Sequence, residues 1–300
     1  MNPKTIPLIT LKNAFPPYED YAYFAGMRSF PFQSMAKVYN PTNAWILAEV
    51  ATLAYSGPRF AGGRDGYALG GFSVDELIND VDTDTQCYVI QNKDALVIAF
   101  RGTQSKLFSK QSMSVFLDFL TNAQALHARL HDGSMVHEGF LRAVHKVQKK
   151  INSAVQAAYS SGKQIYYTGH SLGGALAILA AHLYPDPNHL SAIYAYAVPR
   201  VGDRRFASVF DQKYAGNTFR FEYDRDIVPK LPPEIFGYQH VGGLRFIDQW
   251  GQVGKAVSTP EASLPGAVGR LFSLNFNLIP AELEDHVPLY YCVNLFNDLV

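Results

Sequence analysis

The sequence lacks several features that would quickly assign a protein to a class. Its 26 basic and 26 acidic side chains cancel, and no long run of either sign occurs. We therefore expect neither a nucleic-acid groove nor a polybasic membrane anchor, and no nucleic-acid partner. No segment reaches the roughly 18 apolar residues of a transmembrane helix, so no transmembrane segment is expected either.

Cysteine is scarce, since Cys87 and Cys292 are the only two in the chain. Two cysteines exclude a disulfide-rich scaffold and a zinc site built from cysteine alone. A bridge between them stays open, but two separate buried thiols are the favoured interpretation. An apolar stretch of signal-peptide length is also missing near the N-terminus, which fits a cytoplasmic protein or the mature form of a secreted one. The sequence leaves the compartment unknown.

The composition that is present favours one large core. With 48% hydrophobic residues over 300 positions, residues 1–300 are expected to form a single domain. Residues 1–40 are rich in aromatic residues and proline, with little periodicity, and we predict an irregular wrap over that domain. Strand and helix patterns alternate through the middle of the chain, which predicts an α/β fold with a mainly parallel central sheet and helices on both faces.

Local patterns predict the individual elements. Thr42 or Asn43 is predicted to cap a first helix, and Ser73 with Glu76 forms a capping box that predicts a second, short helix. The predicted strands cover residues 86–91, 95–100, 164–168, 192–198, 218–223 and 241–247. Apart from the short helix after Ser73, the predicted helices cover residues 44–55, 140–158, 172–183, 204–210 and 286–296. Residues 249–280 show no firm period and receive no assignment.

The most informative segment covers residues 167–176 and places Ser171 at the centre of a G-x-S-x-G element. A β-branched and aromatic stretch precedes it, and a run rich in Ala and Leu follows. A strand, a serine between two glycines and a helix are typical of a nucleophile elbow. Glycine at positions 169 and 173 permits the sharp turn that holds the hydroxyl above the sheet.

A serine hydroxyl needs a base within hydrogen-bond reach and an acid that orients the base. Behind an elbow the chain order is Ser, then Asp or Glu, then His. The candidate acids downstream are Asp203, Asp211, Asp224 and Asp226, and the candidate bases are His182, His189, His240 and His286. Asp226 ranks first because it directly follows a predicted strand, with Asp224 as the near rival, and His286 ranks first because it precedes the last helix.

Five further blocks resemble the class 3 lipases, the fungal-type triacylglycerol lipase family of the α/β hydrolases. The likeness spans about residues 44–291, and its blocks occur in family order. The blocks are Phe100 to Thr103, Val136 to Phe140, Val198 to Gly202, Asp226 to Pro229 and Tyr238 to Gly242.

The resemblance implies an α/β-hydrolase fold with a lid helix and a catalytic triad. In that triad Ser171 is the nucleophile, Asp226 the orienting acid and His286 the general base. It further implies an oxyanion hole formed by the backbone N–H groups of Thr103 and Leu172. Neither a metal nor an organic cofactor is required.

The resemblance also implies a lid over residues 104–120. Four apolar side chains there fall at i, i+3, i+4 and i+7, as in an amphipathic helix that closes over a site in water and opens on lipid. They are Met113, Phe116, Leu117 and Leu120. The alternative is an ordinary core-facing helix. The chain departs from the family at Asn122, where many members carry Asp, and in lacking the paired cysteines of secreted members.

These observations predict a carboxylic-ester hydrolase acting on acylglycerols, with a lipid or other ester substrate met at a lipid–water interface. The alternatives are a phospholipase or a feruloyl-type esterase with the same triad, or an inactive lipid-binding relative. The acyl chain length, the positional preference and the oligomeric state are not fixed by the sequence.

Overall fold

An eight-stranded sheet lies at the centre of the fold. The computed structural model describes the chain except residues 8, 10–13, 15, 17, 19, 57–58, 61–63, 104–119, 121–127 and 255–280. The strands of this sheet are β1 (Ser73–Asp80), β2 (Thr85–Gln91), β3 (Ala95–Phe100), β4 (Gln164–His170), β5 (Leu190–Tyr196), β6 (Thr218–Tyr223), β7 (Gly243–Ile247) and β8 (Val253–Gly254).

The strands follow one another across the sheet in chain order, from β8 at one edge to β1 at the other. Neighbours from β3 to β7 are parallel. The pairs β1–β2, β2–β3 and β7–β8 are antiparallel. The prediction of a mainly parallel sheet is therefore confirmed. Because five central strands run the same way, their carboxyl ends share one edge of the sheet.

Helices cover both faces of the sheet, as predicted. Within the described residues, those of ten residues or more are α1 (Pro41–Leu53), α2 (Glu138–Ser160), α3 (Leu172–His182), α4 (Arg204–Tyr214) and α5 (Pro288–Asn297). Two buried apolar clusters result. One joins α2, α3 and α4 to the sheet. The other joins α1, α5 and the N-terminal segment to the opposite face.

Short elements complete the described residues. The strands Ala128–Arg129, Met135–Val136, Gly202–Asp203 and Tyr238–Gln239 form a small sheet, and Arg59–Phe60 pairs with Arg64–Asp65. The short helical segments are Gly66–Leu69, Pro187–His189, Ala215–Asn217, Val228–Lys230, Glu234–Phe236 and Ala281–Glu284. None of the described helices is long and apolar enough to cross a bilayer.

The first helix begins earlier than predicted. Asn40, not Thr42 or Asn43, is the N-cap, and its side chain accepts a hydrogen bond from the backbone N–H of Asn43. Pro41 then occupies the first turn, where its fixed φ and missing N–H cost nothing. The pattern at 42–43 was compatible with capping, but the proline places the boundary upstream.

The predicted helix after Ser73 is wrong. Ser73 and Glu76 lie on β1, which pairs antiparallel with β2. The capping box describes only a local preference, whereas pairing with β2 satisfies backbone groups along β1 on both sides of a bulge between Val74 and Glu76. Strand pairing therefore overrides the local signal.

The two cysteines are both buried and free. Cys87 lies on β2, and Cys292 lies on α5, where its sulfur is 3.2 Å from the hydroxyl oxygen of Thr52. The favoured interpretation of two separate thiols is confirmed.

Candidate active site

Ser171 lies at the sharp turn between the end of β4 and the first residue of α3. Its backbone has φ 57° and ψ −128°, a combination that non-glycine residues rarely adopt. Strained backbone of this kind persists only where the surrounding structure enforces it, and it is concentrated at functional sites. The conformation matches the elbow expected from the sequence.

Close backbone approach explains the two glycines of the motif. A Cβ added to Gly169 would lie 2.3 Å from the carbonyl carbon of Gly173, and one added to Gly173 would lie 2.4 Å from the carbonyl oxygen of Phe100. Both distances are far inside van der Waals contact. The elbow is thus packed against the end of β3, which leads into Thr103.

Three side chains from distant parts of the chain meet at the elbow. The Nε2 atom of His286 lies 2.9 Å from the hydroxyl oxygen of Ser171. Its Nδ1 atom lies 3.0 Å from each carboxylate oxygen of Asp226. All three residues are buried. With the ring proton on Nδ1, His286 donates to Asp226 and leaves Nε2 free to accept the serine proton.

The topology accounts for this meeting. Asp226 follows β6 and His286 precedes α5, so both lie near the edge where β4 delivers Ser171. His286 is held in a turn by a hydrogen bond from its backbone N–H to the carbonyl of Leu283. The structure thus brings together the three residues that ranked first in the sequence.

Asp226 has two further donors. The hydroxyl of Tyr291 donates to its Oδ2 at 2.7 Å, and the backbone N–H of Val228 donates to its Oδ1 at 3.0 Å. The same Tyr291 hydroxyl accepts the backbone N–H of Tyr223 at 3.1 Å. These donors fix the carboxylate that orients His286. No feature of the sequence identifies Tyr291 beyond its position in the predicted last helix.

A second histidine, His170, lies beside the first. Its Nδ1 is 2.8 Å from the hydroxyl of Tyr55, and its ring centroid is 4.7 Å from that of His286. Burial holds the pKa of His170 well below its ordinary value, and the neighbouring imidazole of His286 lowers it further. His170 is therefore neutral. It occupies the variable position before the serine, which sequence reasoning did not consider.

The predicted oxyanion donors lie on adjoining segments. Leu172 is the first residue of α3, where backbone N–H groups have no acceptor within the helix. A Cβ on Gly102, next to Thr103, would lie 2.8 Å from the carbonyl oxygen of His170, so this loop packs on the elbow. The Thr103 hydroxyl is buried and has no hydrogen-bond partner among the described residues. A hydroxyl in that state is available to an oxyanion.

The other candidate acids have structural partners. The carboxylate of Asp203 caps α4 by accepting a hydrogen bond from a backbone N–H of the helix. Asp211 accepts a backbone N–H at 2.7 Å. Asp224 lies 3.3 Å from the guanidinium of Arg225.

The other candidate bases also lie in structural contacts. His182 packs against two phenylalanine rings of α4. His189 stacks on the ring of Tyr159. His240 has its Nε2 2.6 Å from the carbonyl oxygen of Pro229.

The predicted lid falls almost entirely outside the described residues. Met113, Phe116 and Leu117 belong to the undescribed stretch 104–119, and the lid therefore stays a prediction. Leu120 is described and is fully buried in the cluster that contains α2 and α3. Most of the unassigned stretch 249–280 is also outside the described residues.

The central part of the chain matches the model of a known family. Residues 97–236, which include β3, the elbow and the loop after β6, match the model of the family described as Lipase (class 3). The match covers 140 of the 300 residues, so the chain is similar to the class 3 lipases over slightly less than half of its length. The resemblance seen in the sequence is thereby confirmed.

Two secreted lipases are similar to this chain over part of their length. The secreted mono- and diacylglycerol lipase 1 of Fusarium solani is 39% identical over 118 residues, which are 39% of this chain and 35% of that protein. The secreted mono- and diacylglycerol lipase A of Penicillium cyclopium is 34% identical over 166 residues, which are 53% of this chain and 50% of that protein. The chain thus matches half or less of each relative.

Solved structures share the fold. The triacylglyceride lipase of Rhizomucor miehei has a TM-score of 0.60 at 23% identity, covering 80% of this chain and 90% of that one. A structure of a Penicillium cyclopium MDLA mutant has a TM-score of 0.53 at 25% identity, covering 81% and 86%. The chain therefore has the α/β-hydrolase fold expected from its sequence.

Proposed function

We propose that this protein is a class 3 lipase that hydrolyses carboxylic esters, with acylglycerols as its substrate class. The observation that carries the proposal is the single imidazole of His286, which lies within hydrogen-bond distance of both Ser171 and Asp226. This arrangement activates a serine hydroxyl at neutral pH.

In the acylation half-reaction, the hydroxyl oxygen of Ser171 attacks the ester carbonyl while His286 Nε2 takes its proton. Asp226 stabilises the imidazolium that forms and remains ionised. The tetrahedral oxyanion accepts hydrogen bonds from the backbone N–H groups of Thr103 and Leu172, and the Thr103 hydroxyl is a further donor. One such donor lowers the barrier by about 3 kcal/mol. Collapse of the intermediate breaks the ester C–O bond, and His286 returns the proton to the leaving alcohol.

In the deacylation half-reaction, water attacks the acyl-serine ester. His286 takes a proton from that water and then returns it to the oxygen of Ser171. The carboxylic acid leaves, and the enzyme is restored. No metal or organic cofactor takes part in either half.

The names of the relatives support the substrate class. Two are called mono- and diacylglycerol lipases, and a solved structure at 28% identity and TM-score 0.50 carries a title stating that a serine protease triad forms the catalytic centre of a triacylglycerol lipase. Partial glycerides are therefore the first substrates to test, followed by triacylglycerols.

The test of the proposed chemistry is Ser171→Ala assayed on a soluble chromogenic ester. Turnover should fall by about 10⁶-fold, because both half-reactions need the serine oxygen. A circular dichroism spectrum and an unfolding midpoint like those of the wild type provide the control for folding. Substantial residual hydrolysis by a folded Ser171→Ala protein would defeat the proposal.

A substrate series tests the finer assignment. Acyl esters of increasing chain length, with and without an emulsion, are compared with a phospholipid and a feruloyl ester. Preference for emulsified acylglycerols supports the proposal. Preference for the phospholipid or the feruloyl ester assigns the same triad to one of the alternative activities, and binding of lipid without turnover indicates an inactive relative.

A further inference from the structure

The residues that precede two triad members contact each other. Arg225 directly precedes Asp226, and Asp285 directly precedes His286. The Oδ2 atom of Asp285 accepts two hydrogen bonds from Arg225, one from its backbone N–H and one from its Nε, each at 3.2 Å. This contact joins the loop that carries the acid to the loop that carries the base.

The contact is asymmetric in burial. The side chain of Arg225 is 60% exposed, whereas that of Asp285 is 7% exposed. An ion pair with one partner in water contributes little to folding. A buried carboxylate aimed at a neighbouring loop is difficult to explain by stability alone.

The surroundings of Asp285 do not favour its charge. Its pKa is raised to about 6, chiefly by burial and to a lesser degree by the carboxylates of Asp224 and Asp226, against the opposing effect of Arg225. The phenols of Tyr223 and Tyr290 also lie close enough to feel its charge. The segment therefore keeps an unfavourable carboxylate beside His286, which calls for a functional reason.

We propose that Arg225 and Asp285 are positioning residues that clamp the acid loop to the base loop and so keep His286 aligned with Asp226. This inference rests on the proposed function. Neither residue touches the reacting atoms. Their contact acts through the backbone, because each is one peptide unit from a triad residue.

A second tie between the same segments explains why the clamp has a separate role. On the helix side, the Tyr291 hydroxyl joins the backbone of Tyr223 to Asp226. On the loop side, the segment 284–287 is a turn that precedes α5, and Asp285 anchors it to Arg225. Tyr291 fixes the carboxylate, and the clamp fixes the imidazole that faces it.

The experiment is a double-mutant cycle on kcat and KM with a soluble ester. Asp285→Asn keeps the side-chain shape and an acceptor for the Arg225 N–H but removes the charge. Arg225→Gln removes the guanidinium from an exposed position. Each should lower kcat by about fivefold to tenfold with KM changed less than about twofold, because misalignment affects the transition state and not the binding of the ester. The double variant should be no slower than Asp285→Asn.

Two further variants control for charge and for folding. Arg225→Lys keeps a cation within reach and should retain more than about half of the wild-type kcat. Lys146→Gln breaks an ion pair in which both side chains are exposed, the 2.9 Å contact with Asp82, and should leave kcat unchanged. Unfolding midpoints are recorded for every variant. If Asp285→Asn does not fold, the kcat of Arg225→Gln, whose substitution lies at an exposed site, decides whether the clamp affects catalysis.

The outcomes separate this inference from the proposed function. The clamp is supported by non-additive losses confined to kcat and by the rescue in Arg225→Lys. It is overturned if the folded variants keep wild-type kcat, or if the two losses multiply. Residual hydrolysis by Ser171→Ala would instead overturn the function, since that variant leaves the clamp intact.

Discussion

The imidazole rings of His170 and His286 lie 4.7 Å apart at an interplanar angle of 43°. A cation on His170 would repel the imidazolium that His286 becomes during the proposed reaction. Burial prevents this, because it holds the pKa of His170 well below its ordinary value. A neutral neighbour is thus part of the environment of the base.

We predict that His170 does not titrate over the working pH range. Its imidazole signals in NMR spectra should stay constant from about pH 8 to pH 5, since protonation would require charging a buried ring. A His170→Gln variant identifies the signals by their disappearance. A titration midpoint near the ordinary histidine value of 6.5 would contradict the account of its burial.

The close packing of the elbow gives a second prediction. Gly169→Ala places a methyl group 2.3 Å from backbone atoms of Gly173, so the turn must shift. A displacement of about 1 Å at the nucleophile is expected to lower kcat by about 100-fold or more. Gly216→Ala is the matched control, because a Cβ there meets nothing within 4 Å. Equal activity of the two variants would show that the elbow tolerates the methyl group.

The hydrogen bond that Asp226 receives from Tyr291 leads to a third prediction. Tyr291→Phe removes a hydrogen bond to the carboxylate and leaves the Tyr223 N–H without its acceptor. We expect the free energy of unfolding to fall by about 1–3 kcal/mol and kcat to fall by about tenfold. Tyr290→Phe removes a phenol at the next position, whose hydrogen bond goes to Glu284, and should change kcat less than about twofold. The idea fails if both variants behave alike.

The raised pKa of Asp285 leads to a fourth prediction, which concerns the stability of the fold. The folded protein holds this proton up to about pH 6, whereas the ordinary value is 3.8. Between these values the folded state binds more protons than the unfolded chain, so the contribution of Asp285 to stability is lost as pH rises through 6. Urea unfolding of the wild type and Asp285→Asn at several pH values should show the wild type gaining relative stability on going from about pH 7 to pH 5. A constant difference would contradict the pKa shift.

Much of the site was predictable because its signals are local. The strand and helix that flank Ser171 identify the elbow, and the glycines at 169 and 173 are required by backbone contacts that any elbow makes. Asp226 ranked first because it follows a strand. Parallel strands place their carboxyl ends together, so chain order was sufficient to bring His286 into consideration.

The rest depends on contacts between segments that the sequence does not link. Tyr291 lies 65 residues from the carboxylate that it supports, and Tyr55 lies 115 residues from His170. Neither pair has a characteristic spacing or a motif that would link its two residues in the sequence. Ser73 and Glu76 carried a local helix signal, but pairing with β2 decided in favour of a strand. Arg225 and Asp285 adjoin predicted triad residues, and that adjacency was the one signal that could have found them.

Labelling with a fluorophosphonate probe, followed by mass spectrometry of the peptides, tests the central claim most directly. The claim is that His286 activates the oxygen of Ser171. The account predicts labelling of the wild type at Ser171, and labelling slowed by several orders of magnitude in His286→Ala, although the serine is still present. Rapid labelling of His286→Ala, or labelling of the wild type at another residue, would contradict it.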